Sequence, residues 1–415
     1  MRVAGPPRRR GMSVAAVAAA ALAVLPGVLL GSAPAAMADA SAAPDSPRAY
    51  QPLDGDGQCT FPAPSVKQTP WSLQRVLLNQ LWQSTQGKGV KVAVIDSGVD
   101  VKNPQLTLAV DVSHSVDLVD PKGNGTTDPV GHGTEVAGII AARPVSSTGF
   151  VGLAPQATII SIRQAGEDGT GTIPNLIKAL HDAVAAGAKV INISQDAPAG
   201  TPELQAAITA AVHADVVVIA SAGNDGADGK SRTTFPGGYP GVLAVGASDR
   251  NNERASFSQA GDFVGVAAPG VDMLSTVPGG GQCVDNGTSF AAPFVAGVAA
   301  LIRAKHPSWT APEVIAQIEQ TAQRTTSLGH NAFVGWGVVD PVRALTDDEK
   351  KVETPTPDPG VLKGRDRVVP AALTFGDTAK QRQKRTAAYV VSGMAVVLLL
   401  ITGTTIALRD RRRRT

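Results

Sequence analysis

Between about residues 71 and 345, short apolar runs alternate with longer amphipathic stretches. Val90-Lys91-Val92-Ala93-Val94-Ile95, Lys189-Val190-Ile191-Asn192-Ile193 and Val216-Val217-Val218-Ile219-Ala220 are brief, rich in β-branched residues and barely interrupted by polar ones. Such runs predict strands covered on both faces. Helical patterns lie between them. One runs from about Pro174 to Ala186 and meets Gly187, a residue suited to the position just past a helix end. Another runs from about Pro202 to His213. The alternating order predicts an α/β domain, with a parallel sheet carrying helices on both faces.

The flanks read differently. Arg2 and Arg8 to Arg10 precede an apolar stretch from Val14 to Leu30. Small residues follow, with Ala36-Met37-Ala38 or Ala38-Asp39-Ala40 as cleavage sites. Residues 1–40 are therefore expected to be a signal peptide. Residues 41–70 show no helix or strand period and are expected to form an extended or irregular N-terminal extension. Residues 346–386 form a polar linker around Thr354-Pro355-Thr356-Pro357-Asp358-Pro359-Gly360. Ala387 to Leu408 is an uncharged run of 22 residues, long enough for one transmembrane helix. Arg409 and Arg411 to Arg414 then make residues 409–415 a cytoplasmic tail. With the signal peptide, this predicts a single-pass cell-membrane protein whose large domain is extracytoplasmic.

Hydrophobic residues make up 43% of the 415, enough for a sizeable core, and aromatics only 4%, so that core is aliphatic. The net charge of +2 conceals an acidic middle. Without the nine terminal arginines and Asp410, 28 basic residues face 34 acidic ones, which gives no electrostatic case for nucleic acid as a partner. The two cysteines, Cys59 and Cys283, are expected to form one disulfide in an exported chain, two separate thiols being the alternative.

Three segments carry candidate chemistry. Val94-Ile95-Asp96-Ser97-Gly98 puts an aspartate at the carboxyl end of a buried strand, where open parallel sheets place their sites. Gly131-His132-Gly133-Thr134-Glu135-Val136-Ala137-Gly138 starts a helix with a histidine. Asn286-Gly287-Thr288-Ser289-Phe290-Ala291-Ala292-Pro293 puts a serine at a helix start, where backbone N–H groups are free. Serine needs a base, and the base needs an orienting group. Taken singly, each residue has a plain reading: a turn aspartate, a structural histidine, an N-cap serine. Together, in the order Asp, His, Ser, they are far more specific.

In these segments the chain resembles the subtilisin-like serine proteases, over about residues 71–345. Ser221-Ala222-Gly223-Asn224, Ala267-Ala268-Pro269-Gly270 and Gly335-Trp336-Gly337-Val338-Val339-Asp340 match as well. The resemblance implies a three-layer subtilisin-like fold and an endopeptidase with Asp96, His132 and Ser289 as catalytic residues and Asn224 as oxyanion donor. It implies substrate-binding segments at Gly169-Thr170-Gly171 and from Ser194. In the second, Gln195-Asp196-Ala197 departs from the small apolar residues usual in secreted relatives. Many relatives bind calcium through an acid that is Gln105 here, and the loop from Arg143 to Gly149 lacks the usual asparagine ligands, so no metal and no cofactor are expected.

The short extension and the C-terminal anchor resemble the mycosins, membrane-anchored members associated with type VII secretion. Two functions follow from that likeness. One is an endopeptidase acting on exported proteins. The other is a structural or stabilising component of a secretion complex, with proteolysis secondary.

Overall fold

The computed structural model describes residues 59–324 and 329–358, together with Gly403. The signal peptide, residues 41–58 of the extension, the linker beyond residue 358, the cytoplasmic tail and, but for Gly403, the expected transmembrane segment lie outside the described residues. Among the described residues, no helix is long and apolar enough to cross a membrane.

Seven strands form one sheet: β1 Lys91–Asp96, β2 Val116–Asp117, β3 Thr158–Arg163, β4 Val190–Ile193, β5 Val217–Ser221, β6 Val242–Ser248 and β7 Val264–Pro269. Their spatial order is β2-β3-β1-β4-β5-β6-β7, and every neighbouring pair is parallel. β8 Met273–Thr276 and β9 Gln282–Asp285 pair antiparallel as a separate hairpin. The helices are α1 Trp71–Gln74, α2 Leu78–Leu81, α3 His132–Ala141, α4 Ile173–Ala185, α5 Pro202–His213, α6 Thr288–Lys305, α7 Ala311–Thr321 and α8 Pro341–Thr346.

The near-continuous apolar runs follow from burial on both faces. In β1, Val92 and Val94 belong to the core formed with α3, α6 and α7. Ala93 and Ile95 belong to the opposite core, which holds Leu176 and Leu180 of α4 and Leu204 and Ile208 of α5. The expected three layers are thus present. α4 begins where Thr172 Oγ1 accepts from Asn175 N at 3.3 Å and a proline occupies the first turn. It is followed by Gly187 at φ +79°, the predicted left-handed stop. α6 is buried from Thr288 through Arg303 and accordingly carries alanine, glycine and aliphatics on all sides.

Residues 59–70 have no regular structure, apart from bends, and are fastened to the domain at several points. Cys59 and Cys283 form a disulfide with their Cα atoms 6.0 Å apart, the first of the two expected states. Ala63 N donates to Gly280 O at 3.0 Å, and Val66 N to Gln282 Oε1 at 2.9 Å. Thr148 Oγ1 donates to Val66 O at 2.6 Å.

Candidate active site

Asp96 ends β1 at the carboxyl edge of the sheet and is completely buried. Its Oδ1 accepts from Ser97 N at 2.8 Å and faces His132 Nδ1 at 2.8 Å. His132 is the first residue of α3, and the helix can start this close to the strand end because its second residue is glycine. A Cβ on Gly133 would lie 2.0 Å from Gly98 O. The Phe290 ring covers the imidazole at a centroid distance of 5.2 Å. Nε2 is buried with no hydrogen-bond partner among the described residues.

Burial by itself would lower the His132 pKa. The charge and hydrogen bond of Asp96, then Glu135 and Asp128, outweigh it and hold the imidazolium up to about 9. Glu135 itself is pushed well above the carboxylate range, first by burial and then by Asp285.

Ser289 is the second residue of α6, where the first turn's N–H groups have no helical acceptor. A Cβ on Gly287, which sits at φ +157°, would come within 2.7 Å of Ser289 Oγ, so glycine keeps the approach open. Pro293, four residues on, has no N–H to give the Ser289 carbonyl. Ser194 Oγ fills that place and donates to Ser289 O at 3.0 Å. Asn224, just beyond β5, accepts through Oδ1 from Thr288 N and Thr288 Oγ1, both at 2.9 Å. That fixes the amide and leaves Nδ2 as its outward group. A Cβ on Gly287 would also come 3.6 Å from this Nδ2.

The other expected residues fall around this centre. Gly169, Thr170 and Gly171 lie in a tight turn, with Gly166 N donating to Thr170 O at 2.9 Å and Gly171 bridging Ala165. Gln195 is buried. It accepts from Gln164 Nε2 and donates to Gly169 O at 3.0 Å, so it ties the two segments together. Asp196 is half-buried, with its carboxylate over Gly223. Gln105 is buried beside the Arg143 loop.

Sequence reasoning missed Asp128. Its Oδ1 accepts from Ser97 Oγ at 2.8 Å, Val130 N at 3.2 Å and Gly131 N at 2.8 Å. Its Oδ2 accepts from Thr134 N at 2.7 Å and Thr134 Oγ1 at 2.6 Å. One buried carboxylate thereby ties the end of β1 to the start of the His132 helix. The signal available was an aspartate four residues before the histidine, ahead of Pro129, but its partner Ser97 is 31 positions away.

Residues 87–337 match the subtilase family. The chain is 41% identical to subtilisin E of Bacillus subtilis (strain 168) over 259 residues, 62% of this chain and 66% of that protein. It thus spans just under two thirds of that relative's length. It is 39% identical to subtilisin BL of Lederbergia lenta over 276 residues, 66% of this chain and 98% of that one. Among solved structures it is similar to MycP1 from Mycobacterium smegmatis, with a TM-score of 0.63 and 32% identity, covering 73% of this chain and 91% of that one. It is also similar to the MycP3 protease from the type VII (ESX-3) secretion system, with a TM-score of 0.61 and 34% identity over 72% of this chain and 95% of that one.

Proposed function

Because this chain belongs to the subtilase family of serine endopeptidases, we propose that it hydrolyses peptide bonds in exported proteins through Asp96, His132 and Ser289. The observation that carries this reading is the buried Asp96–His132 contact of 2.8 Å, with Nε2 unpartnered and the ring packed on the residue after Ser289. Ser289 Oγ attacks the substrate carbonyl carbon and gives its proton to His132 Nε2. Asp96 holds the imidazole by Nδ1 and stabilises the imidazolium. Asn224 Nδ2 and the Ser289 N–H hold the oxyanion. His132 returns the proton to the leaving amine as the C–N bond breaks. Water then hydrolyses the acyl-enzyme by the same route. Gly169 to Gly171 and Ser194 to Asp196 flank the bound substrate.

The arginine-led apolar N-terminus and the run from Ala387 to Leu408 support a signal peptide and one membrane anchor, with the catalytic domain extracytoplasmic. Similarity to MycP1 and MycP3 supports association with a type VII secretion complex in the cell membrane. A related MycP1 is described as an essential component of such a system. That favours a second, compatible role in which the folded domain stabilises the complex and proteolysis is secondary.

Comparing the exported proteins of cells carrying the intact chain, Ser289→Ala or a deletion tests both. New uncleaved products in Ser289→Ala cells support the peptidase role. Normal export in Ser289→Ala cells with loss of export in the deletion supports the structural one. Identical processing and identical export in all three contradict both.

A further inference from the structure

The segment 194–196 leaves the carboxyl end of β4, and the segment 222–224 leaves the carboxyl end of β5, its neighbour in the sheet. The serine helix touches both. Ser194 Oγ donates to Ser289 O at 3.0 Å, and Asn224 Oδ1 accepts from Thr288 at 2.9 Å. A carbonyl carbon on Ser289 Oγ with its oxygen toward Asn224 Nδ2 therefore places the acyl-side residue's side chain between these segments. This placement rests on the peptidase reading above.

A carboxylate lies between these segments. Gly223, at φ +100°, presents no side chain there. A Cβ built on it would meet Asp196 Oδ2 at 2.8 Å and Thr234 Cγ2 at 3.2 Å. Asp196 thus lies over the residue before Asn224, with the Thr234 methyl beside it. Gln195 is turned away into its bonds with Gln164 and Gly169 and does not screen it. Among the described residues, Asp196 accepts no hydrogen bond and meets no cation. The charge that acts on it is another acid, Asp225. A carboxylate partly withdrawn from water without a partner is disfavoured, and a guanidinium or ammonium group compensates it through charge-assisted hydrogen bonds.

We propose that Asp196 is a specificity-determining residue that selects arginine or lysine on the acyl side of the cleaved bond. The same chemistry explains the departure from small apolar residues at this position. A carboxylate where relatives carry a small apolar residue supplies the counter-charge for a long cationic side chain. Burial, then Asp225, raises the free acid to about 7. An arriving cation favours the ionised form and draws that proton off.

The test uses the full-length chain in detergent and a set of fluorogenic peptides differing only in the acyl-side residue: Arg, Lys, Gln, Leu and Phe. At pH 8, kcat/KM for Arg and Lys should exceed that for Gln at least tenfold. In Asp196→Asn this ratio should fall at least tenfold. Asp196→Lys should shift preference toward an added Glu peptide, an outcome that a merely structural role would not produce. Preference for Leu or Phe in the unmodified chain, or an Arg-to-Gln ratio unchanged in Asp196→Asn, would overturn the proposal. Modification by a fluorophosphonate in the same preparations separates the two levels. If Ser289 reacts but arginine is not preferred, only the specificity fails. If Ser289 does not react, the peptidase reading fails and takes this inference with it.

Discussion

Gln105 Nε2 stands between the carbonyl oxygens of Arg143 and Phe150, 2.9 Å from each. Its Oε1 accepts from Gln282 Nε2 at 2.7 Å, and Gln282 Oε1 accepts from Val66 N at 2.9 Å. Two N–H groups thus point at the carbonyls of the loop where relatives bind calcium, and a cation does not fit among donors. The neutral amide chain performs the fastening. Thermal unfolding of the full-length chain in detergent, in millimolar calcium and in chelator, should agree within about 2 °C. A difference above about 5 °C, roughly 1–2 kcal/mol or more, would reveal a cation site. Conversely, Gln105→Ala should cost about 2 kcal/mol or more, because it leaves two inward carbonyls without donors.

Asp128 should matter to both stability and turnover. It accepts five hydrogen bonds that join Ser97, the turn before α3 and Thr134. Asp128→Ala leaves those donors buried and unpaired, for a loss of about 2–4 kcal/mol. It also frees His132, so kcat should fall more than tenfold in the fraction that remains folded. Urea unfolding and active-site-titrated kinetics measure the two effects. An unchanged kcat per titrated site would show that Asp128 does not position the histidine.

The His132 pKa sets the acid limb of activity. The base must be neutral to take the Ser289 proton, and the folded value is raised from 6.5 to about 9. kcat/KM should therefore climb about tenfold per pH unit through neutrality and level off toward pH 9. The same shift stabilises the fold. This contribution is fully present below 6.5 and is lost as pH rises through about 9. A pH–rate profile already flat at pH 7 would contradict the raised value.

The Cys59–Cys283 bond closes a loop spanning 224 positions. Chain entropy puts its stabilisation at up to about 5 kcal/mol. Cys283→Ser should lower the urea midpoint and expose the residues after Cys59 to proteolysis. Peptide mapping without reductant that finds two free thiols in the exported protein would refute the bond.

The parts of the site legible in the sequence are those whose chemistry is local. Asp96 follows an apolar run, while His132 and Ser289 open helices, and each motif lies within ten residues. The βαβ rhythm likewise placed α4 and α5 to within a residue or so, because Pro174 and Pro202 stand at their starts and Gly187 follows α4. What stayed hidden depends on distant partners. Asp128 reads as a loop acid until Ser97 is brought to it. The bonds that Gln195 makes with Gln164 and Gly169 join segments far apart in the chain. Asp196 lies in a substrate-binding segment that the family resemblance singled out, but its contact with Gly223 appears only when β4 and β5 lie side by side. The sheet order, which sets β1 between β3 and β4, is a tertiary fact that chain order does not contain.

Ser289 as the nucleophile, activated by His132, is the step on which every other assignment depends. The most direct measurement treats the full-length chain with a fluorophosphonate and maps the modified peptide by mass. One adduct is expected, on Ser289, absent from Ser289→Ala and at least a hundredfold slower to form in His132→Ala. Asn224→Ala should lower peptide kcat by about 10²–10³, the size such a donor has in subtilisin. An adduct that persists in Ser289→Ala, or an intact chain that turns over peptides while Ser289 stays unmodified, would contradict it.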